Sequence, residues 1–290
     1  MKWIALFHHQ NVIKGYHLLI LDMKRAVLFT FLLSLGFTFL FGLWGCTNKK
    51  NEQDTRPLSE DLSSLTKQFP DSIPLQLQYH QQIFINGDQK GAMEGLMKLA
   101  EKYPTRIDLL NELAALSLEN MDTALSIHFL NQSMDINAKQ SDAAFMLAGI
   151  YAAQKNPNWK KITEHLIHQK EDPIAAAKGY YLTGIQLSNE NKIKEAITAF
   201  EKAIILNYTF TDAYIEKAIL LFDSDHTDQA IDLLYKAQEM DRKSADIPFW
   251  LGECYLKKKN KEKAMAFFEQ TQRLDPDYQA AIDRIANIKY

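Results

Sequence analysis

The amino-acid sequence predicts an all-α protein in which a helical hairpin of 34 residues is repeated about six times. Small residues recur with this period at Ala196, Ala230 and Ala264. Bulky apolar residues recur with the same period at Phe200, Leu234 and Phe268. A fixed period of this length is typical of stacked helical hairpins, each too small to bury its own apolar face. Regular alternation of β-branched residues between turn residues is missing, so we expect almost no strand.

Counting in steps of 34 from the last and clearest unit gives six repeats. Their bounds are 73–106, 107–140, 141–176, 177–210, 211–244 and 245–278. Positions in each repeat are numbered from 1, and we expect the first helix near positions 2 to 14 and the second near 18 to 31. The third repeat has 36 residues and needs a two-residue insertion. We place the insertion between Gln154 and Trp159, because the Asn and Pro residues there favour a turn.

Short helices are expected to cap both ends of the array. The segment 58–72 resembles half of a repeat, and we predict a helix from Ser59 to Gln68. After the last repeat, 279–290 has apolar residues at helical spacing, which predicts a C-terminal capping helix. Terminal units of a repeat array need one apolar face and one solvated face.

The residues within one repeat carry a family resemblance. In the last repeat, Gly252 and Ala264 take positions 8 and 20, and Phe268 takes position 24. This pattern resembles the tetratricopeptide repeat (TPR) family, in which small residues at 8 and 20 let two helices approach and a bulky residue at 24 fills the space beside them. The resemblance implies a superhelical TPR solenoid that binds other molecules and does not catalyse a reaction.

The N-terminal part contains the elements of a secretory signal. Met23-Lys24-Arg25 is basic, the run 26–45 has no charged residue, and Cys46 follows. The sequence Leu43-Trp44-Gly45-Cys46 resembles a bacterial lipobox, which implies that 23–45 is a signal peptide and that lipid is attached to Cys46. The alternative is an uncleaved membrane anchor, because about 20 apolar residues can span a bilayer.

These interpretations locate the protein in the bacterial cell envelope. We expect the lipid to hold it at the outer membrane with the repeats in the periplasm, and 46–57 to form a flexible tether. We expect translation to start at Met23, so that 1–22 is not part of the natural protein. Cleavage before Cys46 removes four basic residues and one acidic residue and leaves a net charge of −6, which argues against a nucleic-acid partner.

The sequence offers little support for catalysis, and we predict no catalytic residue, metal or cofactor. His165 and His168 lie three residues apart, but no third and fourth ligand follows at the spacing of a metal site. A Gly-rich phosphate loop is missing. With Cys46 acylated, Cys254 has no cysteine to pair with, and we expect it to be a small buried apolar residue.

The TPR resemblance implies that partners bind on a concave face formed by positions 2, 5, 9, 12 and 13 of the first helices. The residues predicted to form this groove are Phe145, Tyr181, Ile185, Ile215, Ile219, Phe222, Phe249 and Glu253. Such an apolar and aromatic groove suits an amphipathic helix or an extended hydrophobic peptide. The alternative is that these side chains pack between neighbouring first helices or beneath the C-terminal helix.

The sequence-based hypothesis is a membrane-tethered scaffold or adaptor for a protein complex of the cell envelope. Two other functions are a carrier of a small hydrophobic ligand and a regulatory subunit of a cell-wall hydrolase. An adaptor would have protein partners that depend on groove residues, whereas a carrier would retain a small molecule. The sequence leaves the partner and the oligomeric state open.

Overall fold

The computed structural model describes residues 58–169 and 171–289, and these residues form fourteen α-helices and no strand. The helices in the first half are α1 (Leu58–Gln68), α2 (Ile73–Ile85), α3 (Gln89–Lys102), α4 (Ile107–Glu119), α5 (Thr123–Ile136), α6 (Ser141–Ala153) and α7 (Asn158–Ile167). The helices in the second half are α8 (Pro173–Asn189), α9 (Ile193–Leu206), α10 (Thr211–Asp223), α11 (Thr227–Met240), α12 (Asp246–Lys257), α13 (Lys261–Leu274) and α14 (Gln279–Lys289). The all-α prediction is confirmed.

The predicted signal peptide, Cys46 and the tether lie outside the described residues. Within 58–169 and 171–289, the helices are too short or too polar for any of them to cross a bilayer. The chain divides into two compact units, one ending at Ile150 and the other beginning at Tyr151.

In the first unit, each helix from α1 to α4 packs against the next helix in the chain. Leu96, Leu113 and Leu130 are fully buried in the core of this unit. Leu96 and Leu130 occupy position 24 of their repeats, where a bulky residue is expected. Burial of leucine side chains is worth about 1.5 to 3 kcal/mol each, so these contacts hold the hairpins together.

In the second unit, consecutive helices from α7 to α14 also pack in chain order. In addition, α8 contacts α10 and α10 contacts α12, so the first helices of neighbouring repeats adjoin. Phe200, Leu234 and Phe268 are buried at position 24 of three successive repeats. This arrangement of hairpins is a helical solenoid of the predicted kind.

The small residue at position 8 makes room for the ring at position 24. A Cβ atom added at Gly184 would lie 2.6 Å from the ring of Phe200, and one added at Gly252 would lie 2.6 Å from the ring of Phe268. Both distances are shorter than van der Waals contact allows. Glycine at these two positions is therefore required by the ring that packs over it.

The turn within each hairpin repeats one backbone conformation. The residue at position 15 has a positive φ in all six repeats, at Gly87, Met121, Lys155, Asn191, Asp225 and Lys259. The next N–H donates to the carbonyl oxygen five residues earlier, for example from Asp122 to Ser117 at 2.8 Å and from His226 to Leu221 at 2.8 Å. This is the Schellman arrangement that ends a helix, and it fixes where each second helix starts.

The predicted helix bounds are one residue late in most repeats, and the third repeat needs a larger correction. Its internal turn, 154–157, is one residue longer than the three-residue turn 190–192 of the next repeat, and α7 has only ten residues. The following helix, α8, begins at Pro173, four residues before the predicted repeat boundary. The cause is local, because the Asp172 side chain accepts a hydrogen bond from the Ala175 N–H and Pro173 favours the first helical turn.

Candidate functional site

The first helices of the second unit place a row of side chains on one face. Helical spacing aligns Asp212, Glu216, Ile219 and Phe222 along α10, and it aligns Asp246, Trp250 and Glu253 along α12. Because α10 contacts α12, the two rows lie side by side. We call these seven residues the first-helix face.

The middle of the first-helix face is apolar and partly exposed. Ile219, Phe222 and Trp250 are each half-buried, and the rings of Phe222 and Trp250 meet edge to face with centroids 6.0 Å apart. The Lys257 ammonium lies 4.4 Å from the centroid of the Phe222 ring and donates to the Phe222 carbonyl oxygen at 2.6 Å. Partly exposed aromatic residues of this kind are typical of contact surfaces.

One end of the first-helix face is acidic. Burial, together with the nearby carboxylates of Asp212 and Asp246, raises the pKa of Glu216 to about 7. Asp246 is itself buried and accepts a hydrogen bond from the Tyr278 hydroxyl at 2.9 Å. Like charges close together disfavour ionisation, so Glu216 carries its negative charge at a cost.

The C-terminal helix covers the other end. The Arg284 guanidinium on α14 donates to both carboxylate oxygens of Glu253, at 2.6 and 2.8 Å. Next to this pair, the ring of Tyr278 packs on Phe249 with centroids 5.0 Å apart. The predicted groove residues Phe249 and Glu253 therefore contact the C-terminal segment, as the alternative interpretation of the sequence expected.

The expectation that all eight groove residues line an open surface needs correction for three of them. Tyr181 and Ile215 are each 3% exposed, and Phe249 is 9% exposed. The Tyr181 ring packs 5.7 Å from that of Phe200 and 4.9 Å from that of Phe210. In these three repeats the side chain at position 5 therefore belongs to the core.

The other predicted residues are accessible in part. Ile185 on α8, Ile219 and Phe222 on α10, and Glu253 on α12 are half-buried in the second unit. Phe145 on α6 is also half-buried and belongs to the first unit. The structure thus brings Ile219, Phe222 and Glu253 together on the first-helix face.

Sequence reasoning missed two glutamates at position 6. Glu112 on α4 is 5% exposed, and its burial raises its pKa to about 7, although a hydrogen bond with Gln81 partly offsets this effect. Glu216 occupies the same position three repeats later. Each of these glutamates stands three residues before an apolar residue of the same first helix, and this spacing could have indicated them as candidates. Helical periodicity alone does not show whether the side chain at position 6 is buried.

The other candidate residues from the sequence are the histidines of α7 and Cys254. In the described part of the chain, no three or more His, Cys, Asp or Glu side chains are placed to hold a metal ion. His168 ends α7, where its ring nitrogen lies 2.6 Å from the Glu164 carbonyl oxygen. Cys254 is fully buried, as predicted, and burial raises the pKa of its thiol to about 12.

Two surface cavities lie away from the first-helix face. One of about 540 Å³ is lined by Tyr235, Gln238, Glu239, Arg242 and Gln270 on and after α11 and on α13. The other, of about 260 Å³, lies between α8 and α9. Neither cavity includes a residue of the first-helix face.

Comparison with known proteins identifies the repeat. Residues 221–285 match the family model for the tetratricopeptide repeat. No curated protein sequence matches the chain. The matched segment covers Leu221 to Ile285 and so includes most of the first-helix face.

Solved structures share the fold along most of the chain. A tetratricopeptide repeat protein from Parabacteroides merdae is 16% identical, with a TM-score of 0.60 over 80% of this chain and 91% of that one. Yeast Tom70 is 14% identical, with a TM-score of 0.68 over 80% of this chain but only 49% of its own length. Pseudomonas aeruginosa pilF is 16% identical, with a TM-score of 0.51 over 79% of this chain and 99% of that one.

Solenoids of this type are typically interaction scaffolds that present an extended surface to a partner. The structural neighbours agree with the arrangement of helical hairpins in the described residues. Residues 221–285 therefore contain tetratricopeptide repeats, and the described helices share the fold of tetratricopeptide repeat proteins.

Proposed function

We propose that this protein is a scaffold or adaptor of the bacterial cell envelope, held at a membrane by lipid on Cys46, and that it binds a peptide or helix of a partner protein on the first-helix face. The observation that carries the binding proposal is the group of half-exposed apolar side chains Ile219, Phe222 and Trp250 on adjoining first helices. Their burial by a partner would stabilise the complex, because aromatic anchors contribute strongly to interfaces.

The binding proposal is tested by cross-linking in native membranes, followed by capture of the protein and mass spectrometry. The informative variant is Ile219→Ala with Trp250→Ala, since both side chains are half-buried and neither fills the centre of a hairpin. A matched control is Ile205→Ala with Tyr208→Ala, because these exposed apolar residues lie at the end of α9, away from the first-helix face.

Partners that are lost in the first variant and kept in the control would support an adaptor. If the wild type and both variants capture the same partners, the proposal that partners bind the first-helix face is contradicted. A small molecule released from the wild type by organic solvent, with no cross-linked protein, would favour the carrier function.

The lipid anchor is proposed from the lipobox resemblance of Leu43–Cys46, and it is tested separately. Cells are grown with an alkyne-labelled palmitate, and the label on the protein is compared between wild type and Cys46→Ala. We expect label on the wild type only, together with a mature N-terminus at Cys46. An unlabelled wild type that retains 23–45 would instead support the uncleaved membrane anchor.

A further inference from the structure

Side chains at positions 9 and 6 of successive first helices meet across neighbouring repeats. Gln81 at position 9 hydrogen-bonds Glu112 at position 6 of the next repeat. Glu253 at position 9 binds Arg284, which occupies position 6 of the segment after the last repeat. The two residues of each pair are 31 apart in the sequence, and in each pair a carboxylate has a polar partner.

Glu216 breaks this pattern. The same 31-residue spacing places Ile185 of α8 opposite it, and isoleucine offers neither a hydrogen bond nor a charge. Among the described residues, the structure gives Glu216 no hydrogen bond and no ion pair. The charges that affect it most are the carboxylates of Asp212 and Asp246, which have the same sign.

A partly buried carboxylate without a counter-ion is costly for the free protein, and a cation from a ligand would remove that cost. The apolar side chains of Ile219 and Trp250 lie three residues further along α10 and on the adjoining helix α12. A ligand that satisfies both features must combine a positive charge with apolar groups at a spacing of about one helical turn.

Building on the proposed function, we propose that the first-helix face binds a cationic amphipathic segment of a partner protein, with a lysine or arginine on Glu216 and apolar side chains on Ile219, Phe222 and Trp250. Charge complementarity selects this occupant. Asp212, Glu216 and Asp246 would repel an anionic lipid surface, and they would also repel the same face of a second copy. The described residues hold no set of side chains placed for a metal ion, which leaves an organic cation as the complementary charge.

The chain offers a matched control for the carboxylate. Glu112, like Glu216, is a glutamate at position 6 of its repeat, but it is already hydrogen-bonded to Gln81 and lies in the first unit. The test compares wild type with Glu216→Gln and Glu112→Gln in the full chain, purified in a non-ionic detergent. The probes are two fluorescent 14-residue helical peptides with the same leucine positions, one with lysine and the other with glutamine at the remaining positions.

We expect the lysine peptide to bind wild type and Glu112→Gln equally and Glu216→Gln about tenfold more weakly, since a charge-assisted contact is lost. The affinity of wild type for the lysine peptide should also fall from pH 8 to pH 5.5, as Glu216 takes up a proton. The titratable groups that act on Glu216 are the carboxylates of Asp212 on α10 and Asp246 on α12. Lys178 on α8 is at the same repeat position as Asp212, one repeat earlier. The affinity of the Glu216→Gln variant should depend less on pH.

Equal binding of the lysine and glutamine peptides to wild type and Glu216→Gln would overturn the charge assignment while leaving the binding face in place. Binding of neither peptide, together with cross-linked partners that do not depend on Ile219 and Trp250, would overturn the proposed function itself. A photo-cross-link from position 219 to the segment 47–56 of the same chain would make that segment the occupant and would overturn the partner assignment.

Discussion

The effect of a single residue on the packing of this protein depends on the space that neighbouring residues leave for its side chain. In the first repeat, His80 stands at position 8, where Gly184 and Gly252 stand in other repeats, and its ring is 8% exposed. The ring lies directly over Gly95, and a Cβ atom there would collide with it. Gly95 is at position 23, next to the bulky Leu96 at position 24, so this hairpin accommodates a large residue at position 8 because a neighbouring position has no side chain.

We expect Gly95→Ala to destabilise the protein by about 1 to 3 kcal/mol, because the added methyl group overpacks the contact with His80. The double variant His80→Ala with Gly95→Ala should recover part of this loss. Urea unfolding of the wild type, both single variants and the double variant gives the coupling between the two sites. Additive effects of the two substitutions would show that the residues do not share this space.

The positive φ at position 15 gives a second prediction for single residues. Met121 has a φ of 62° and is 84% exposed, so its side chain adds little packing while its backbone is strained. Met121→Gly should therefore stabilise the protein by up to about 1 kcal/mol, less the extra chain entropy of glycine.

The reverse change is available in the first repeat, where Gly87 has a φ of 101° and no atom within 4 Å of an added Cβ. Gly87→Ala should lower stability by about 1 kcal/mol through backbone strain alone. Both changes are measured by chemical denaturation. If Met121→Gly is less stable than the wild type, the methionine side chain makes stabilising contacts despite its high exposure.

At the scale of a helix, the start of each second helix depends on the residue at position 16. The side chains of Asp88, Asp122 and Asn260 each accept a hydrogen bond from a backbone N–H in the first turn, at 2.9 to 3.0 Å. His226 occupies the same position before α11 and makes no such bond. The chain therefore contains both capped and uncapped versions of one helix start.

We expect His226→Asp to raise the free energy of unfolding by about 0.5 to 2 kcal/mol by adding the missing cap. The reference change Asp122→Ala should lower it by a similar amount, since it removes an existing cap from α5. Thermal unfolding followed by circular dichroism measures both. A stabilising effect of His226→Ala equal to that of His226→Asp would show that loss of the histidine, and not the cap, is responsible.

Most helices of the array could be predicted because the repeat period and the pairs at positions 8 and 24 depend on residue size alone. The start of α8 could not, because the Asp172 cap competes with the periodic register, and the sequence does not show which one prevails. The site was predicted less well. Position 5 residues such as Tyr181 and Phe249 were placed on the surface, since a helical wheel cannot tell which neighbour covers a residue.

At the scale of the whole molecule, buried ionisable groups make the stability depend on pH, and His80 and Glu112 do so in opposite directions. Burial lowers the pKa of His80 below its ordinary value of 6.5, so the unfolded chain binds its proton more readily and stability falls as the pH drops through about 6.5. Burial raises the pKa of Glu112 from 4.5 to about 7. The folded state then binds more protons than the unfolded chain between these values, and stability falls as the pH rises from 4.5 to 7.

The Glu112 effect can be isolated with Glu112→Gln, because a neutral amide has the shape of the protonated acid and can still bond with Gln81. The variant should be more stable than wild type at pH 8, by at most about 3 kcal/mol, and nearly equal to it at pH 4.5. Urea unfolding at several pH values measures the difference, with the exposed Glu101→Gln as the control. A stability difference that does not grow between pH 4.5 and 8 would mean that Glu112 ionises in the folded protein at its ordinary pH. In that case the Glu112 side chain on α4 would be accessible to water.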